Sequence, residues 1–268
     1  MPHSLSVIIH TLNEEANLPD CLASLGDLPD EVIVCDMHSD DRTVEIARAH
    51  GARVIFHERA GYVEPAREFA ASQARHEWIL MLDADERLSP DLRDEIAALL
   101  GKAGSHDAVP DDPACVAYST PILNWMFGKF ARYGSWRHEA PERLYRRGAL
   151  HWSSVIHQGP QVDGPAGRLR HPILHYSHTS IGRFIDKLNR YTDVEAADMF
   201  REGRRVRLPL AAFGAVRAFL GQYVRLQGFR DGGHGLILAL LMAGYFFVAR
   251  AKLWSLWYQH DHPPAPPR

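Results

Sequence analysis

The 268-residue sequence is poor in cysteine, has almost no net charge, and contains no apolar run of membrane-spanning length. Its three cysteines, Cys21, Cys35 and Cys115, are too few and too scattered for a disulfide framework or a zinc site, which predicts a reducing compartment. The start, Met1-Pro2-His3-Ser4-Leu5-Ser6-Val7, lacks the basic stretch and long apolar segment of a secretory signal, so a cytoplasmic chain is expected. Residues 235–249 are nearly uncharged but fall short of the roughly 20 apolar residues that a bilayer crossing needs. Glycine is missing where a dinucleotide fold requires it: the segment after the first apolar run is Thr11-Leu12-Asn13-Glu14-Glu15, with no Gly-x-Gly-x-x-Gly turn to bring backbone against a pyrophosphate.

The near-zero net charge conceals two opposite halves. Residues 1–112 carry 9 Lys and Arg against 23 Asp and Glu, a balance of −14; residues 113–268 carry 21 against 10, a balance of +11. An acidic half does not hold a polyanion without a cation, and a basic half faces an anionic surface. Nucleic acid is therefore not an expected partner, whereas an anionic membrane surface is.

The acidic half alternates strand and helix patterns. Residues 4–10 form an apolar run with β-branched residues, followed by Leu18, Leu22 and Leu25 at helical spacing. A second strand over 31–36 ends in a carboxylate, and Asp40 or Asp41 can cap a helix bearing Val44, Ile46 and Ala47 that Gly51 ends. Residues 53–56, 64–75 and 78–82 read as strand, helix and strand, and Ser89-Pro90-Asp91 starts another helix. This order predicts an α/β fold with a mainly parallel sheet flanked by helices, and ligands at the carboxyl ends of its strands. Beyond a Gly, Ser, Asp and Pro-rich connection over 101–113, residues 115–123 suit a strand. Residues 124–178 are rich in Trp, Tyr, His and Arg, and 181–201 are helical. His171, His175 and His178 suggest a zinc site, but strand and loop around Pro172 fit them better. Seven arginines follow within 201–230, then the apolar stretch, Arg250, Lys252, Trp254 and Trp257, and a Pro-rich tail from 260 that is expected to be disordered.

Three carboxylate groups fall at predicted strand ends: Asn13-Glu14-Glu15, Asp36, and Asp83-Ala84-Asp85-Glu86. Without a glycine turn a bound diphosphate must be neutralised in another way, and a divalent cation, Mg²⁺ or Mn²⁺, held by Asp85 with Asp83 nearby supplies the charge.

Three segments, with three more further along, give these acids a family context. Ser-Val-Ile-Ile-His-Thr-Leu-Asn-Glu-Glu from Ser6, Val-Ile-Val-Cys-Asp-Met-His-Ser-Asp-Asp-Arg-Thr from Val32, and Trp-Ile-Leu-Met-Leu-Asp-Ala-Asp-Glu-Arg from Trp78 resemble the successive motifs of glycosyltransferase family 2, which has the GT-A fold. The Asp-Ala-Asp-Glu-Arg form, Glu142-Arg143-Leu144-Tyr145-Arg146-Arg147, His175-Tyr176-Ser177 and Gly228-Phe229-Arg230-Asp231-Gly232 resemble the branch containing lipopolysaccharide-core β-glucosyltransferases. The resemblance implies an inverting transfer of a hexose such as glucose from a nucleoside-diphosphate sugar, a UDP-sugar, to a lipid-linked or lipopolysaccharide-type glycan. It places Thr11, Asn13 and Glu15 around the nucleotide, Asp36 on its base or ribose, Arg67 near a phosphate, and Asp83 and Asp85 on the metal-diphosphate. His157 lies near the donor, as ligand or phosphate contact. Glu139, matching an acidic residue of a Trp-x-x-Asp segment, is the chosen base, with Glu142 and His157 as alternatives. Two departures stand out: Met37-His38-Ser39 replaces the usual Ser-Gly-Ser, and Ile156-His157-Gln158 replaces Val-His-Glu.

The expected organisation is a nucleotide-sugar-binding half over 1–112, an acceptor-side half over 113–200, and a basic, apolar helical region over 201–268. That last region predicts peripheral or monotopic attachment at the cytoplasmic face of the inner membrane. A catalytically inactive nucleotide-sugar binder and a membrane scaffold are the rival readings, and the intact Asp-x-Asp favours activity.

Overall fold

The first strand, β1 (Leu5–Thr11), is buried at every one of its seven positions, as a parallel strand covered on both faces must be. The computed structural model describes residues 2–59, 64–102, 114–151 and 160–262. They form two compact units, one of residues 1–123 and 138–176, the other of 124–137 and 177–268. Strands from beyond residue 138 pair into the N-terminal sheet, and a short piece before residue 138 packs with the C-terminal helices.

In the first unit β1 is followed by α1 (Leu18–Leu25), β2 (Glu31–Asp36), α2 (Thr43–Ala49), β3 (Arg53–Phe56), α3 (Glu64–Ser72), β4 (Trp78–Asp83), β5 (Glu86–Leu88) and α4 (Pro90–Leu99). The expected strand over 115–123 is split, because Thr120-Pro121 interrupts pairing, into β6 (Ala117–Ser119) and the start of β7 (Ile122–Met126). After β8 (Lys129–Phe130) come β9 (Glu142–Arg146), β10 (Leu150–His151), β11 (Gln161–Val162), β12 (Ala166–Arg168) and β13 (Ile173–His178). The seven-stranded sheet has the order β12-β6-β9-β4-β1-β2-β3. Neighbours β4, β1, β2 and β3 are parallel, and β9 runs antiparallel to both β4 and β6. β1 lies where the strand order reverses, so its carboxyl end opens a crevice beside those of β2 and β4.

Period-two alternation sorts β1 between two cores. Leu5, Val7 and Ile9 pack with Leu18, Leu22 and Leu25 of α1 and Leu92 and Ile96 of α4, whereas Ile8 joins Ile33, Ile79 and Met81 against Ala66 and Ala70 of α3. Each fully buried aliphatic side chain contributes roughly 1.5–3 kcal/mol. Helix ends follow local chemistry. The Ser89 hydroxyl accepts the Leu92 N–H at 3.2 Å with Pro90 in the first turn, and the α1 chain leaves through Gly26 at φ 54°. At α2 the N-cap is Arg42, without a side-chain cap, and the Asp41 carboxylate just before it accepts the Thr43 N–H at 3.0 Å. All three cysteines are buried and unbridged.

The second unit contains α5 (Ile181–Arg201), α6 (Leu208–Leu220) and α7 (Gly233–Asp261). A π-helical turn over Gly221–Arg225 and a short 3₁₀ turn over Gly228–Asp231 join the last two. α6 meets α7 at Gly214, where a Cβ would lie 2.3 Å from the Phe246 ring. α7 corrects the expectation from the apolar stretch: at 29 residues, with an apolar window only 22 % buried, it is long and apolar enough to cross a membrane. Arg250 and Lys252 end the apolar run but not the helix. Arg250 reaches Glu195 at 2.9 Å and Lys252 reaches Asp193 at 2.6 Å, both acids on α5.

Candidate functional site

The ends of β1 and β2 are tied together by one carboxylate. Asp36, fully buried, accepts the Thr11 hydroxyl at 2.8 Å, the Ser39 N–H at 2.8 Å and the Ser39 hydroxyl at 2.6 Å. Three of its roughly four lone-pair sites are thereby used, so Asp36 braces the crevice floor. The loop after it is pinned to the loop after β1: Asn13 N–H donates to Ser39 Oγ at 2.8 Å, and Asp40 N–H to Asn13 Oδ1 at 2.8 Å. Asn13 and His38 both take the left-handed conformation, at φ 58° and 59°. His38 therefore adopts the backbone geometry that the missing glycine would favour, and its ring stacks on Phe56 at 5.5 Å. Glu15 closes the same wall, its N–H on Asp41 at 3.0 Å and its carboxylate accepting the Arg42 N–H at 3.2 Å.

The Asp83 end of β4 is held by charge. Arg67 Nη2 from α3 lies 3.1 Å from both Asp83 oxygens, and Arg143 Nη2 from β9 lies 3.3 Å from one of them. Burial alone would raise the Asp83 carboxyl, but Arg67 and then Arg143 hold it well below the usual carboxylate range. Glu86, fully buried, takes the same Arg143 guanidinium at 2.5 Å and accepts the Asp83 N–H at 2.9 Å. Its own carboxyl is pushed up by burial against the lowering by Arg143. Asp85 lies 3.3 Å from His175 Nε2 of β13, whose ring also feels the charges of Glu86 and Asp83. The pairing of β5 with β13 sets this approach, placing His175 opposite Glu86. Desolvation opposes charge on His175, but the Asp85 hydrogen bond and carboxylate raise its pKa.

His10, opposite Asp83 in the sheet register, is 3 % exposed and sits against the Ala66 backbone of α3, near Asp83 and Arg67. Burial lowers its pKa to about 4, so it is neutral beside the charged cluster.

Of the residues singled out in the sequence, Thr11 and Asp36 meet directly, Asn13 and Glu15 line the adjoining loops, and Arg67 meets Asp83. Glu139 is exposed, its carbonyl accepting the Ile122 N–H at 2.9 Å, while Glu142 is half-buried at the start of β9. His157 lies outside the described residues. Sequence reasoning gave no role to Glu86, Arg143, His175 or His10. All four stand inside the quoted motifs, yet Glu86 meets Arg143 only on β9 and Asp85 meets His175 only on β13, far along the chain.

A cation is tested by the donor set. Among the described residues no three His, Cys, Asp or Glu side chains cluster as ready-made metal ligands. Mg²⁺ and Mn²⁺ suit such a place, since one or two carboxylates, substrate phosphates and water complete their shell. Glu14 reports the local field: its pKa is raised by burial and then, against an Asn17 hydrogen bond, by the charges of Asp85, Asp41 and Asp83. A hard divalent cation at Asp85 and Asp83 fits that field.

Comparison with known proteins gives the family. Residues 6–153 match the profile described as "Glycosyl transferase family 2". An uncharacterized glycosyltransferase of Rickettsia prowazekii is 31 % identical over 266 residues, covering 94 % of this chain and 87 % of its own length. The lipopolysaccharide core biosynthesis glycosyltransferase LpsC of Rhizobium meliloti is 29 % identical, covering 94 % and 92 %. Among solved structures, glucosyl-3-phosphoglycerate synthase from Mycobacterium tuberculosis, in complex with Mn²⁺, UDP and glucosyl-3-phosphoglycerate, is 24 % identical over 46 % of this chain and 44 % of that one, with a TM-score of 0.33. The chain is a glycosyltransferase with a GT-A-like sheet and belongs to glycosyl transferase family 2.

Proposed function

We propose that this glycosyltransferase moves a hexose, such as glucose, from a UDP-sugar to a lipid-linked or lipopolysaccharide-type glycan, inverting the anomeric centre. The observation that carries the reading is the gathering of Asp36, Asp83 and Asp85 at the carboxyl ends of neighbouring parallel strands where the sheet order reverses. The likeness to LpsC supports the acceptor class.

In this reading Thr11, Asn13, Glu15 and Asp36 form the nucleoside wall, and Arg67 turns part of its charge from Asp83 to a donor phosphate. Asp85 and Asp83 would hold a divalent cation, which supplies positive charge to the departing diphosphate. The acceptor oxygen attacks the anomeric carbon as the bond to the phosphate oxygen breaks, and the electron pair leaves with the nucleoside diphosphate. Glu139 takes the hydroxyl proton, with Glu142 and His157 as the other candidates. The exposed apolar helices of the second unit support attachment to the cytoplasmic face of the inner membrane, where such an acceptor resides.

A screen of nucleoside-diphosphate sugars with membrane extract, scored by nucleoside diphosphate release with and without chelator, tests the reading. Asp85→Asn is expected to lower cation-dependent release by about 10²–10³-fold, the scale of losing one electrostatic contact to the transition state. Undiminished turnover in excess chelator would remove the cation from the scheme, and no turnover with any donor would favour the inactive-binder alternative.

A further inference from the structure

The seven arginines between positions 201 and 230 divide into two sets. Arg201, Arg204 and Arg205 pair with Asp198, Glu202 and Asp261, while Arg230 lies over the Tyr133 ring and donates to Gln227. The guanidinium groups of Arg207, Arg217 and Arg225 have no ion pair or hydrogen bond among the described residues. These three line grooves along α6. Arg217 and Arg225 border one of about 740 Å³ walled by Leu220, Val224 and Phe246, and Arg207 borders another of about 620 Å³ beside Leu210 and Trp254.

The helix α6 carries Arg217, with Arg207 at its N-cap and Arg225 in the turn beyond it, and is unusual for a face meeting only water. Ala211 is the one buried residue among the thirteen of α6, and Leu210, Phe213, Val216 and Leu220 are 64, 69, 57 and 50 % exposed. The π-helical turn that follows adds a second observation. It turns Gln222 inward, where its amide bonds the Ser135 N–H at 2.9 Å and hydroxyl at 2.8 Å, and leaves Val224 and Arg225 on the outside. The fold thus commits the turn's polar amide to the interior and presents an apolar wall with unneutralised cations.

We infer that the groove between α6 and α7 binds one anionic phospholipid of the bilayer. Its phosphate is taken by Arg217 and Arg225, and an acyl chain runs along Leu220, Val224 and Phe246 while α6 lies in the interface. Guanidinium groups recognise phosphate oxygens through paired hydrogen bonds, and the apolar walls account for the chain, which a free phosphate would not. A second copy of this chain fits worse, because isologous docking of this face would set like cations against one another. The inference rests on the membrane part of the proposed function and extends it to a single lipid.

The test uses the full chain and vesicles of phosphatidylcholine with and without phosphatidylglycerol, together with native mass spectrometry of detergent-purified protein. Arg217→Gln with Arg225→Gln is expected to weaken binding to the anionic vesicles about thirtyfold, at roughly fivefold per arginine, and to lose a phosphatidylglycerol molecule that the wild type retains. Arg204→Gln with Arg205→Gln removes the same formal charge from paired positions and is expected to cost about fivefold or less. Equal losses from the two double variants would overturn the site in favour of diffuse attraction. Displacement by inorganic phosphate would overturn it in favour of a soluble anion. A wild type that ignores vesicles and self-associates would overturn it in favour of an interface between copies. Binding is read without donor or acceptor, so failure of the donor chemistry would leave this result standing.

Discussion

One arginine of the first unit and two of the second are held in opposite ways. In the first, Arg143 is 7 % exposed and spends its charge on Glu86 and Asp83, so a buried cation is tolerated because two anions meet it. In the second, Arg217 and Arg225 are exposed among apolar side chains and meet no anion among the described residues. Internal neutralisation fixes the geometry of a site, whereas a cation left unneutralised at an apolar surface is addressed to something outside the chain.

The sharpest way to break this comparison is to remove the buried cation. Arg143→Met strands Glu86 and is expected to cost about 3–5 kcal/mol in urea unfolding, and adding Glu86→Leu should recover most of it. No recovery would mean that packing, not charge, dominates there. His10 sharpens the same contrast through pH. Its folded pKa of about 4 lies below the ordinary value of 6.5, so the unfolded chain binds more protons between them. Stability present at neutral pH is therefore lost as pH falls from about 6.5 toward 4, by about 3 kcal/mol in all. His10→Leu should flatten urea midpoints across that window, and an unchanged slope would remove His10 as the cause.

The second unit depends instead on close approach. Gly214→Leu forces side-chain atoms into Phe246 and is expected to destabilise by about 1–3 kcal/mol. Thermal unfolding followed by tryptophan fluorescence reads this through Trp254 and Trp257, and an unshifted midpoint would show that α6 swings aside at no cost. The smallest effect belongs to a neutralised surface arginine. Arg201→Gln, which breaks an exposed pair with Asp198, should change stability by less than about 1 kcal/mol.

What could be read from the sequence follows the range of the interactions involved. β1 to β4 announce themselves through continuous apolar runs, and Ser89-Pro90 marks α4 because capping acts within three residues. Asp36, Asp83 and Asp85 were visible because a parallel sheet must place strand ends together. Glu86 was not, since its burial depends on Arg143 57 residues away. The length of α7 was hidden for the same reason: Arg250 and Lys252 look like the end of an apolar helix until Glu195 and Asp193 are seen to meet them. The π-helical turn carries no local signal in Gly221–Arg225, and its only visible cause is the distant partner of Gln222.

The separation of 57 positions between Glu86 and Arg143 also sets an order of delivery during synthesis. A ribosome delivers β1, β2 and β4, with all the acids of the motif, well before it delivers β9. During that interval the nascent sheet carries Asp83 and Glu86 without one of their cations, and the sheet edge that β9 will occupy beside β4 is unpaired. Once β9 is in place, that edge is paired with β4 and Arg143 meets both acids. A chain stalled before that point would carry every acid of the motif yet lack the arginine that holds two of them in place.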